Sequence, residues 1–96
     1  MNTKSYLLKS SLLVLMLLVA ACTGMPVQEM SNARQAVEAA RKAGAESRAA
    51  KDLESAEELL KDAEKALEDG DYSLAKDNAR AARDQAMTAQ DKALNE

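Results

Sequence analysis

The chain has 96 residues, 13 of them Lys or Arg and 16 Asp or Glu, with a formal net charge of −3 and no His, Trp or Phe. One small domain is the most this length holds. The missing His excludes an imidazole base, a Cys–His or Ser–His pair and an ordinary zinc site, and the acidic balance without an aromatic platform speaks against nucleic acid as a partner.

The first 21 residues stand apart from the rest. Lys4 and Lys9 come first, with no acid, and an apolar run from Leu12 to Ala21 follows, closed by the small residues Ala20 and Ala21. That order of charged, apolar and small segments is the order of an export signal. The run is too short for a membrane anchor, which needs about 20 apolar residues. Removing residues 1–21 takes away two lysines and no acid, so the exported part, which then begins at Cys22, is more acidic than the whole.

Cys22 is the sole cysteine. The stretch Val19-Ala20-Ala21-Cys22 resembles the lipobox of bacterial lipoproteins, in which an aliphatic and two small residues precede an obligatory Cys. A thiol is nucleophilic enough to take a diacylglyceryl group, and the small residues admit the peptidase that cuts between Ala21 and Cys22. The resemblance implies S-diacylglyceryl and N-acyl groups on Cys22, and hence a lipid-anchored protein. Thr23 rather than Asp follows the Cys, and in such lipoproteins this implies the periplasmic face of the outer membrane of a Gram-negative cell. Val19 and Ala21 also suit ordinary signal peptidase, which would leave a free thiol in an oxidising compartment.

Residues 22–26 read as a lipidated N-terminus and spacer, in which Pro26 suits the start of a helix. A helical domain is expected over 27–96. The first helix, over about Val27 to Ala43, carries a stripe of Met30, Ala33, Val37 and Ala40. Gly44 fits its stop, and Ser47 the cap of the next start. The second helix, over about Arg48 to Glu68, places Ala49, Leu53, Ala56, Leu60, Ala63 and Leu67 on one face, widened by Leu59 and Ala66. Glu38–Lys42 and Glu57–Lys61 are spaced as favourable pairs along one helix.

Asp69-Gly70-Asp71 ends the second helix, with Gly70 suited to a left-handed position and Asp71 to an N-cap. The third helix, over about Tyr72 to Asn95, has the seam Tyr72, Ala75, Ala79, Ala82, Ala86, Ala89 and Ala93. Asp77, Asp84 and Asp91 recur on its other face about 10.5 Å apart, a solvated face rather than a carboxylate site. The short turn at Gly70 predicts an antiparallel pair, in which Leu53, Leu60 and Leu67 meet the alanine seam, large against small. The fold expected is all-α: a helical hairpin or short three-helix bundle. Large apolar residues are few, so the domain is expected to be marginal alone or completed by a partner or a second copy.

Ala43-Gly44-Ala45-Glu46, Leu53-x-x-Ala56, Leu60-x-x-Ala63 and Gly70-Asp71-Tyr72-x-x-Ala75-x-x-x-Ala79-x-x-Ala82 together resemble the small Ala-rich bacterial lipoproteins grouped as domain of unknown function 4398. The resemblance runs from about Val27 to Ala93. It implies a helical periplasmic domain of unassigned function, and Ala50 stands where the family often carries Pro. Gly70-Asp71-Tyr72-x-x-Ala75 is also similar to half of a tetratricopeptide repeat, but a stable solenoid needs at least three repeats.

An EF-hand started at Asp69 would place Leu74 where Gly is required and Arg80 where the bidentate Glu belongs, so no calcium site is expected. The chain is expected to be no enzyme, with no metal and no cofactor apart from the lipid on Cys22. The interaction seam is expected at Leu53, Leu60, Leu67, Tyr72, Ala75, Ala79, Ala82 and Ala86. Its expected partners are membrane lipid through Cys22 and an envelope protein or a second copy, with no nucleic acid and no small-molecule substrate. Two alternatives stand beside this structural module. One is an envelope-spacing alanine-zipper coiled coil, opposed by the breaks at Gly44 and Gly70; the other is a tetratricopeptide-like adaptor fragment.

Overall fold

The computed structural model describes residues 24–95. Among them lie three long helices and one short turn of helix: α1 (Val27–Lys42), α2 (Ala45–Arg48), α3 (Ala50–Glu68) and α4 (Tyr72–Leu94). Pro26 sits at the cap position of α1, and its carbonyl accepts from the Met30 N–H at 3.0 Å. Its missing N–H costs nothing there, because the first turn of a helix has no internal acceptor for it.

α1 stops where the sequence places the stop. Gly44 takes φ +92°, a left-handed conformation that glycine adopts without steric cost, and its N–H donates to the Arg41 carbonyl at 3.0 Å. The next start differs from expectation. Ser47 caps nothing; it lies inside α2, and its hydroxyl donates back to the Gly44 carbonyl at 3.3 Å. The chain then bends at Ala49, whose φ and ψ of −143° and 47° are not helical, and α3 begins at Ala50 without a side-chain cap. Ala50 is therefore the first helical residue, the position in a helix that tolerates proline.

The α3–α4 turn follows the sequence closely. Gly70 has φ +79°. Its N–H donates to the Leu67 carbonyl at 3.1 Å and that of Asp71 to the Ala66 carbonyl at 2.9 Å. This pair of bonds is a Schellman ending, which satisfies carbonyls that the helix leaves free. The Asp71 carboxylate then accepts from the Leu74 N–H at 3.2 Å and opens α4.

The two turns reverse the chain twice, so α1 and α4 run parallel and α3 runs against both. One part of the core joins Met30, Ala33, Ala63, Ala79 and Ala82, with Leu59, Leu60 and Leu67 packed on it. The other joins Val37, Ala40, Leu53, Ala56, Ala86, Ala89 and Ala93 with Ala45 and Ala49 of the bend. α4 packs extensively on both α1 and α3, and these two touch each other less. Its inward face is alanine alone, from Ala75 to Ala93, each without exposed surface. A face of methyl groups lets two neighbouring helices approach closely.

Bulk comes from the flanking helices: Met30, Val37 and Leu53 are almost fully buried. Each contributes about 1.5–3 kcal/mol by burial, against about 0.8 kcal/mol for a methyl-sized group. No polar or charged residue is buried among the described residues. α1 thus packs on the hairpin and completes it as a three-helix bundle.

Candidate functional site

Cys22 and Ala21, the expected lipidation and cleavage residues, lie outside the described residues. Gly24, two positions after Cys22, lies close to the bundle. A Cβ placed on Gly24 would lie 3.6 Å from Cδ2 of Tyr72. The first residue of α4 and the segment entering α1 are therefore side by side.

The expected seam is placed as follows. Ala75, Ala79, Ala82 and Ala86 are buried, and Leu53 is 3 % exposed. Leu60 and Leu67 are half-buried against the core. These seven residues are brought together, but as the interior of one molecule. In the folded chain their partners are α1 and the hairpin itself. Tyr72 departs from the rest. It shares the stripe's phase, yet at the first position of α4 no further turn covers it, and it remains 38 % exposed.

What faces outward is charged and spread thinly. Asp77, Asp84 and Asp91 are exposed along the outer side of α4. Among the described residues no three acidic or cysteine side chains gather as metal ligands would. The concavities are shallow; one runs between α3 and α4 along Asp62, Lys65, Ala66, Asp69, Leu74 and Asn78.

Ion pairs fasten the edges of the bundle. Glu29 on α1 lies 4.0 Å from Lys76 and 3.9 Å from Arg80 on α4. Arg34 reaches Glu64 at 3.6 Å, and Arg41 reaches Glu57 at 3.5 Å, both from α1 to α3. Lys92 closes on Asp52 at 2.7 Å, from α4 to α3. The spacing of Glu38–Lys42 and Glu57–Lys61 suggested pairs along single helices; Glu38 does pair along α1, but with Arg41, and Glu57 pairs across to the same Arg41. Arg48 donates to the Ala93 carbonyl at 3.1 Å and ties the bend to the end of α4. This contact, between residues far apart in the chain, carries no local sequence signal.

Among the described residues no helix is long and apolar enough to cross a membrane. Neither the curated proteins nor the solved structures contain a match to the chain. The fold is all-α, with a Gly-Asp-Tyr turn leading into a buried alanine seam, and residues 28–96 match the family described as Domain of unknown function (DUF4398); the chain belongs to that family.

Proposed function

We propose that this is a lipid-anchored protein of the bacterial envelope whose bundle works by contact rather than by catalysis. The observation that carries the proposal is Val19-Ala20-Ala21-Cys22, a lipobox-like stretch closing an export signal. Two or more acyl chains hold a protein stably on a membrane, where one holds it marginally. Thr23, rather than Asp, supports the periplasmic face of the outer membrane as the place. The partner is a second envelope protein or another copy of the chain, met by the outward faces of the bundle. No cofactor, metal or small-molecule substrate enters this function.

Acyl-chain labelling of cells tests the anchor. The label is expected on the wild-type protein and absent from Cys22→Ser; a label that persists in Cys22→Ser removes Cys22 as the anchor. Photo-crosslinking tests the contact. The probe belongs at Met87 and Leu94, which are 51 % and 62 % exposed, because a bulky group at the buried Ala79 would open the core. A specific adduct with an envelope protein or a second copy is expected. Adducts no stronger than those of an unrelated periplasmic protein count against the proposal.

A further inference from the structure

We propose that the end of the bundle formed by the first turns of α1 and α4 is a membrane-facing base, seated on the headgroup region of zwitterionic lipid with Tyr72 as its aromatic anchor. This inference rests on the lipid-anchor reading of Cys22. The large apolar side chains exposed among the described residues are Met25, Val27, Tyr72, Leu74, Met87 and Leu94. The first four lie within the entry to α1 or the first turn of α4. α1 and α4 run parallel, since Met30 and Ala33 share a core with Ala79 and Ala82 while Val37 and Ala40 share one with Ala86, Ala89 and Ala93; their two starts therefore share one end, where Glu29 meets Lys76 and Arg80.

The chain itself says what this end meets. Only Thr23 separates Gly24 from Cys22, and an extended chain spans at most about 3.6 Å per residue, so over those two steps the anchored residue lies within about 7 Å of Gly24. Gly24 in turn lies beside the Tyr72 ring. A lipid on Cys22 therefore enters the membrane beside Tyr72, with no long tether to let the bundle wander. Outside residues 1–21, Tyr72 is the sole aromatic residue in the sequence. Tyrosine favours such a boundary, because its ring is apolar and its hydroxyl can remain hydrated.

Charge selects the lipid. Glu68, Asp69 and Asp71 are exposed at the same end, on the α3–α4 turn. Anionic headgroups would repel them, most strongly at low salt. Of the positive charges near that end, Lys76 and Arg80 are held by Glu29, and Lys65, in the last turn of α3, is outnumbered by the three carboxylates. Apolar contact with a zwitterionic interface is what remains favourable.

The experiment uses the full lipidated protein on phosphatidylcholine vesicles whose acyl chains carry bromine near the headgroup. Tyr72→Trp and, separately, Leu94→Trp supply a single indole at either end of α4, and circular dichroism verifies that both remain helical. The indole at position 72 is expected to lose most of its emission to the bromolipid and to shift to the blue, while that at 94 keeps its emission. Substituting phosphatidylglycerol at low salt is expected to weaken the quenching at position 72. Protein that does not float with the vesicles overturns the anchor reading and this inference with it. Protein that floats while position 72 is quenched no more than position 94 overturns the seated base alone, and leaves that end free for a protein partner.

Discussion

Ala82 has no exposed surface, and it faces α1 and α3 where α4 lies close to both. Leucine there would have to force the helices apart, so Ala82→Leu is expected to destabilise the bundle by about 1–3 kcal/mol, read from the urea midpoint. The opposite change is harsher at Leu53, one of the few large side chains in the core. Leu53→Ala removes about 2–5 kcal/mol, and a core of this size supplies only about 3–5 kcal/mol in all. The cooperative thermal transition is expected to vanish or fall far below that of the wild type. Met87→Ala is the control. Its side chain is half in water, and a change within about 0.5 kcal/mol is expected. The alanine and leucine positions were legible in the sequence because burial follows the helical period, which the sequence displays directly. Tyr72 was not, since the period does not say where a helix begins to be covered.

Among the elements, the α3–α4 turn is held by two devices that separate experimentally. A Cβ at Gly70 would meet nothing within 4 Å, so Gly70→Ala brings no clash and only the backbone cost of φ +79°. That cost is about 1–2 kcal/mol. Asp71→Ala removes the cap on Leu74 and costs about 0.5–2 kcal/mol. Denaturation in urea is expected to show both losses, with Asp71→Asn close to wild type because its amide oxygen still accepts the bond. This turn was readable because its chemistry is local: a glycine for the left-handed residue and an aspartate for the cap. The bend at Ala49 was not readable. Alanine has no side-chain atom with which to announce a break, and what holds this one is distant: Ala49 is buried in the core, and Arg48 beside it reaches the Ala93 carbonyl. Ser47, the residue with a capping side chain, sits two positions too early to cap α3.

At the scale of the molecule, the apolar stripes of all three long helices are spent on one another. The bundle is therefore expected to unfold as a monomer, with a thermal midpoint that does not move when protein concentration is raised a hundredfold. A midpoint that rises with concentration would mean that a second copy completes the fold, since association stabilises by mass action. The ion pairs at the edges add little to this stability, as exposed pairs contribute about 0–1 kcal/mol each. They matter in another way. Along α4, Ala75, Ala82 and Ala89 repeat every seven residues, and so do Ala79, Ala86 and Ala93. To its neighbours the middle of the seam is a smooth rail: slid by about 10.5 Å, two turns of helix, it still offers alanine methyl groups to four of its six sites. Burial separates the native alignment from the slipped one only at the ends of the seam. The tight turn at Gly70, the hold of Glu29 on Lys76 and Arg80, and the two fastenings at the far end, Lys92 on Asp52 and Arg48 on Ala93, make the rail into a track with stops. The polar edge thus reinforces, at both ends, the one alignment in which all six alanines are covered.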